Sequence, residues 1–459
     1  MKAEQTAPFG VRDKIGYMAG DLGNNVAFQL QSSFLMLFYT DVLQIPAGMA
    51  GTMFLVARIF DAVTDVLVGH IIDKRPTTRE GKYRPWLRKM SGFLALMTFL
   101  IFQSGMQDAS MTVKVVYMWV TYLLWGSVFY TSVNIPYGSM AGVISPNPSD
   151  RSALSTFRTL GASTANLFIG VGVPLIIYHE VGGHQVVKTD ATFTVVAGVA
   201  ALISFTALMV CYRLTTERVK IPMSDGPQES FFKTVRKLLQ NRALVGVIIA
   251  SLGMLMATTT IGQTNNYVYA RVYNSTIGVS ASNLINQILT LTITAPLGLA
   301  LARKFGKKEI TSVGMLLAGV MFFVLWLIGP RSIYIHIAFV AVVYILYGFY
   351  YSQVWAMIPD VVDDIQLTTG NRDGGTVYAL NSFARKIGQA ISGALVGWSL
   401  SYIGYDAQQV ELSSQVQDGI FTMSTLIPAG AFLLAAISLL FIYPLNREHV
   451  EENNQQLHL

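Results

Sequence analysis

The sequence predicts an all-α polytopic membrane protein of twelve transmembrane helices, and three observations carry that expectation. The 459 residues are 52% hydrophobic and only 13% charged, about half the charge density of a soluble domain. Twelve apolar stretches are long enough to cross a hydrocarbon core of about 30 Å, which takes about 20 helical residues. The basic residues cluster in alternate loops.

The first six stretches lie near 16–40, 47–72, 91–107, 114–143, 153–178 and 193–213. After a polar stretch from Leu214 to Arg242, six more lie near 243–270, 280–302, 309–329, 333–358, 376–404 and 418–444. Glu4, Arg12, Asp13 and Lys14 precede the first helix without the short apolar core and cleavage site of a signal peptide, so that helix is expected to be retained. An even count puts both termini on one side. Of the 32 Lys and Arg, 23 fall in the N-terminus, the loops after helices 2, 4, 6, 8 and 10, and the C-terminus; the opposite loops hold four, Lys114, Lys188, Arg271 and Arg331. The positive-inside rule therefore places both termini in the cytoplasm, at a cell membrane. The net charge of +6 reads as topology, not nucleic-acid binding.

A basic, glycine-containing loop follows helix 2 (Asp73 to Lys89) and another follows helix 8 (Arg303 to Lys308). The echo divides the chain into an N-terminal six-helix bundle over 1–213, a cytoplasmic linker over 214–242, a C-terminal six-helix bundle over 243–446 and a cytoplasmic tail over 447–459. Two such halves are the arrangement of the major facilitator fold. Positive-inside loops without any repeat give the same charge pattern.

Ionisable residues inside a bilayer mark a pathway or a partner, because each costs at least about 2.5–3.5 kcal/mol to insert. Helix 2 carries Arg58, Asp61 and Asp65 at i, i+3 and i+7, on one face. Two carboxylates at i and i+4 repel by about 2–3 kcal/mol at an effective dielectric near 20, and a bound cation relieves this. The pair is expected to share a proton or to hold Na⁺ with hydroxyls such as Thr64 and Thr131; a structural network closed by Arg58 is the alternative.

Helix 1 offers Asn24, Asn25, Gln29 and Gln31, and helix 4 offers Asn134. Amides both donate and accept, which suits sugar hydroxyls, although they also join helices. Asp21, nearer the cytoplasmic end, reads as a cap or gate. Helix 5 contains Arg158 and helix 11 contains Arg385 and Lys386, available to pair with Asp61 and Asp65, to orient substrate hydroxyls or to attract a substrate carboxylate. Only one of the adjacent pair is expected to face a cavity, since neighbours point about 100° apart. Trp355 can stack on a sugar ring or belong to an interfacial aromatic belt. Asp360, Asp363 and Asp364 either close an inner gate against basic loop residues or are solvated at a helix end.

The single cysteine, Cys211, excludes an internal disulfide framework, and the six histidines lack ligand spacing. No metal is expected beyond a possible Na⁺ at Asp61 and Asp65. No paired acid and base or nucleophile constellation suggests an enzyme.

The chain resembles the glycoside-pentoside-hexuronide:cation symporters of the major facilitator superfamily. The resemblance rests on GYMAGDLGNN in helix 1, FYTDVLQIPAGMAGTMFLVARIFDAVTD into helix 2, GKYRPW after it, VNIPYGS in helix 4, PDVVDD and RKIGQA. It implies that Asp61 and Asp65 bind the coupling cation with Thr131 as a further ligand, that Arg158 contacts sugar, and that Lys386 sits beside both sites. Melibiose-type carriers have acids where this chain has Asn25 and Asn134, which disfavours a galactoside and suits a pentoside, xyloside or hexuronide. Fewer anionic groups near the cation favour H⁺ over Na⁺. The partners implied are a small glycoside, the coupling cation and the bilayer, with no other cofactor, and the chain is expected to act as a monomer. A uniporter, an exporter and a non-transporting sugar sensor remain alternatives on the same fold.

Overall fold

The computed structural model describes residues 8–219, 238–370 and 374–458. Among these the chain runs as twelve long helical segments. In the first half they are α1 (Val11–Leu37, continued by a π-helical turn at Phe38–Val42), α2 (Ala47–Lys74), α3 (Arg84–Leu100), α4 (Met111–Ile144), α5 (Ser149–Ile177) and α6 (Thr192–Leu214). In the second half follow α7 (Arg242–Val272), α8 (Thr276–Thr294 with Pro296–Phe305, bent by 43°), α9 (Lys307–Ile328), α10 (Ile333–Thr369), α11 (Gly374–Tyr402) and α12 (Ser414–Ile442), then a polar helix α13 (Arg447–His458). Seven segments are long and apolar enough to cross a membrane, and α8 makes an eighth if its bent halves count as one span. The others include α1, α2 and α11, which carry the polar site residues, and α3, only 17 residues long. Leu202, Ile277 and Phe441 lie 66–72% exposed, as side chains solvated by lipid do.

Helix boundaries follow local chemistry. Asn147, Asn241 and Ser275 accept from the N–H groups of Ser149 (3.0 Å), Leu244 (2.9 Å) and Gly278 (3.1 Å) and so start α5, α7 and α8. α3 begins at Arg84 instead of near 91. A proline in its first turn suits the helical φ, and the Arg84 guanidinium is held by the Tyr212 carbonyl at 2.7 and 3.1 Å. α10 runs to Thr369 instead of ending near 358, making Asp360, Asp363 and Asp364 helical residues, and stops at Gly370 with φ +77°. The expected tail contains α13, and a hairpin of β1 (Tyr178–Val181) and β2 (His184–Val187) turns on Gly182 and Gly183, both at positive φ. Most of the linker expected over 214–242 lies outside the described residues.

The chain divides into two compact units, Met1–Val181 with Val186–Asp225, and Gly226–Leu459 with the short Gly182–Gln185 segment. α1 and α7, which open them, are built alike. After each comes a π-helical turn and the same chain reversal: Ile45 N–H bonds the Tyr39 carbonyl and Ser275 N–H the Tyr269 carbonyl, both at 2.8 Å. Gln44 and Asn274, 230 residues apart, are both non-glycine residues at positive φ, 57° and 50°. In α1, a Cβ on Gly16 would lie 2.8 Å from Leu214 and one on Gly23 2.8 Å from the Ser204 carbonyl; at the same 230-residue offset, Gly246 and Gly253 would each approach α12 or Tyr443 beyond it to 2.7 Å. Small residues let these backbones touch.

Where α1 begins, the chain leaving α6 is tied down. Glu217 accepts from the main-chain N–H groups of Lys82 (2.7 Å), Tyr83 (2.8 Å) and Arg84 (2.8 Å) at the start of α3. Gly81, at φ +114°, leaves room for that carboxylate, because a Cβ there would lie 2.5 Å from it. Arg218 pairs with Asp13 at 2.9 Å.

Candidate functional site

In the first unit two polar clusters form. The first joins α2 to α4. Asp61 and Asp65 stand one turn apart, and α4 meets them with a π-helical turn, Leu124–Tyr130, a geometry frequent at functional sites. That turn directs two hydroxyls at the acids. Ser127 Oγ donates to Asp61 Oδ1 at 2.5 Å and Thr131 Oγ1 donates to Asp65 Oδ1 at 2.8 Å. Gly126 leaves space beside them, since a Cβ there would sit 3.1 and 3.3 Å from the Asp61 oxygens. Ser127 and Gly126 were not among the expected residues. Thr64 instead uses its hydroxyl on the Asp61 carbonyl of its own helix, at 3.0 Å.

Arg58 lies 3.6 Å from Asp61 Oδ2. It is fixed by the Gln31 side-chain oxygen at 3.0 Å and by the rings of Phe28 and Tyr122, 5.5 and 6.0 Å from its guanidinium carbon. With two carboxylates and one guanidinium, the α2 residues sum to one negative charge. A hydroxyl that donates to an empty carboxylate can turn and offer a lone pair to a cation. The arrangement therefore suits one small monovalent cation.

The second cluster joins α1 to α5. Asp21 is buried and accepts from Arg158 Nε at 3.0 Å and from Asn25 Nδ2 at 2.9 Å. Arg158 thus pairs with Asp21, whereas its sequence context allowed pairing with Asp61 and Asp65. Tyr137 on α4 lies under the guanidinium at 5.7 Å and stacks on Tyr17 at 4.7 Å. Close approach of α5 to α1 depends on Gly161, where a Cβ would meet the Met18 carbonyl at 2.4 Å. Gln29 donates to Asn166. Asn134, half-buried, follows Thr131 by one turn.

The second unit holds the remaining candidates. Arg385 lies over the Trp355 ring at 4.9 Å, and Trp355 stacks on Tyr378 at 5.3 Å. Tyr378 was not anticipated. Lys386, next along α11, is half-buried. Of the three acids on α10, Asp360 pairs with Lys307 at 2.6 Å and Asp364 accepts from Asn241 Nδ2 at 2.7 Å, both within this unit; Asp363 is half-buried between them.

Comparison with known proteins adds the family. The description MFS/sugar transport protein matches residues 16–447. A glucuronide carrier protein homolog of Escherichia coli (strain K12) is 31% identical over 441 residues, spanning 96% of this chain and 94% of its own. An isoprimeverose transporter of Lactiplantibacillus pentosus is 31% identical over 456 residues, spanning 96% and 92%. Among solved structures, a D-xylose-proton symporter superposes with a TM-score of 0.61 at 15% identity, over 94% of this chain and 98% of that one. That last likeness concerns the fold alone.

Proposed function

We propose, on the premise that this chain belongs to the MFS/sugar transport protein family and within it to the glycoside-pentoside-hexuronide:cation symporters, that it imports a glycoside by symport with one monovalent cation. The protein is a multi-pass membrane transporter and not an enzyme. Its proposed setting is the cell membrane, with both termini in the cytoplasm. The observation that carries the reading is the pair of α2 carboxylates, each supplied with one α4 hydroxyl. In this reading Asp61, Asp65, Ser127 and Thr131 take the cation, and Asn25, Gln29, Asn134 and Arg158 take the sugar with Lys386 and Trp355. Arg58 balances the acids, and the three α10 acids serve a gate. Both ligands then leave on the other side by alternating access.

The driving force suffices. One charge moving through 100 mV supplies about 2.3 kcal/mol, enough for roughly fifty-fold accumulation of a neutral solute.

The test is uptake into proteoliposomes of a panel of xylosides, glucuronides and galactosides, each under a Na⁺ gradient and under a pH gradient. Accumulation driven by one of the two gradients is expected. Equilibration that ignores both gradients would make the chain a uniporter and refute symport.

A further inference from the structure

We propose that a groove between α3 and α6, on the surface of the first unit, is the seat of one anionic phospholipid, with an acyl chain in the groove and the phosphate at Lys89. The groove holds about 410 Å³ and is walled by Gly92, Ala95 and Phe99 of α3 and by Gly198, Ala201 and Phe205 of α6. Leu96 and Leu202 complete it and are 48% and 66% exposed, so it opens outward. None of these side chains carries a polar atom. Its occupant is therefore hydrocarbon.

The two glycines of the groove do not serve helix packing. At Gly161 an added Cβ would run into the main chain of α1, and at Gly23 it would lie 2.8 Å from the Ser204 carbonyl, so there glycine is what lets the helices touch. A Cβ on Gly92 or Gly198 would make only ordinary contacts, 3.9 Å to Phe205 and 3.5 Å to Phe99. α3 and α6 would pack as closely with alanine at both places. What glycine does here is keep the space between them open.

One end of the groove is basic. Arg88 and Lys89 precede Gly92 by four and three residues, so both share its face of α3, one turn nearer the start of the helix. Opposite them on α6 stands Tyr212, with the guanidinium groups of Arg84 and Arg88 over its ring at 5.0 and 5.7 Å. Arg88 is paired with Glu80 at 2.7 Å. Lys89 is exposed and has no ion-pair or hydrogen-bond partner among the described residues. A phosphate at Lys89 fits the groove in depth as well as in charge, because Phe99, at the far end, lies ten helical residues or about 15 Å along α3, the thickness of one acyl layer in a hydrocarbon core of about 30 Å.

A second copy of the chain fits worse. Two copies joined by this face across a two-fold axis would present the same patch to each other and set each Lys89 and Arg88 against its own counterpart, like charge against like. An anionic headgroup instead places its charge beside the one unpaired cation. The basic end also lies on the side that the positive-inside rule assigns to the cytoplasm, where the leaflet surface is negative.

The experiment is native mass spectrometry of the full chain in detergent, titrated with dioleoyl phosphatidylglycerol or dioleoyl phosphatidylcholine. Wild type should hold one phosphatidylglycerol about fivefold more tightly than phosphatidylcholine, the equivalent of roughly 1 kcal/mol for one lysine beside a phosphate. Lys89→Gln should bring the two lipids level. Gly198→Leu, whose Cβ the packing admits, should abolish the tight site by filling the groove, and Gly92→Leu makes the same test from α3 if Gly198→Leu does not fold. Equal affinity of wild type for the two lipids overturns the proposal. So does a preference for phosphatidylglycerol that survives either Lys89→Gln or the filling of the groove. A wild-type dimer that the same leucine variants turn into monomers would give the groove to a second copy, and overturns it too.

Discussion

Replacing each α2 acid by asparagine should give two different failures. Asp61 is nearly buried, 3.6 Å from Arg58, so their attraction at an effective dielectric near 20 is about 4–5 kcal/mol. Removing one member of a buried pair costs about 3–5 kcal/mol, because the other charge stays behind. Gln31 and two aromatic rings still hold Arg58, which places Asp61→Asn near the lower end, about 3 kcal/mol. Asp65→Asn keeps an oxygen for the Thr131 hydroxyl and removes the repulsion between the two acids, so its stability should change by less than about 1 kcal/mol. Both variants should lose cation-driven accumulation. The assay for the difference is built in: Cys211 is the single cysteine and is wholly buried, so a thiol-reactive fluorophore in detergent reports unfolding as that side chain emerges. Equal midpoints for Asp61→Asn and Asp65→Asn would refute the ion-pair argument. Normal cation-driven accumulation in both would refute the cation site.

Two further expectations follow from the same geometry. Ser127→Ala removes the lone pair that the hydroxyl can turn toward a bound cation and should raise the cation concentration for half-maximal uptake by about tenfold, the equivalent of roughly 1.4 kcal/mol; a wild-type cation dependence would remove Ser127 from the site. Gly81→Ala forces a side chain onto a residue at φ +114° and into the Glu217 carboxylate, and should cost about 1–3 kcal/mol, read as earlier exposure of Cys211 on heating, so an unchanged midpoint would show that the seat for Glu217 is dispensable.

The helices and the acids of α2 were legible because charge inside an apolar span stands out against everything around it. Ser127 is not, since a serine in a membrane helix has no signature of its own, even though it stands one turn before Thr131 on the same face. In the sequence Asp21 reads as a cap or gate, because its partner lies 137 residues away, beyond any local pattern. Arg385 and Lys386 could not be told apart by spacing alone; the ring of Trp355 identifies the neighbour of Arg385. The start of α3 is hidden in the sequence because Arg84 and Pro85 read as loop, while in the structure the arginine is held by the end of α6.

The likeness of α1 and α7 has an evolutionary and stoichiometric side. A duplicated frame would by default carry duplicated chemistry. Yet 230 residues beyond Arg58, Asp61 and Asp65 stand Ile288, Leu291 and Ala295, none able to bear a charge. One copy has kept, or gained, the acids while the other holds the same scaffold without them. A carrier that keeps the paired acids at only one of these two matching helices should move one coupling ion per turnover, and the matching face of the second half is released from that duty.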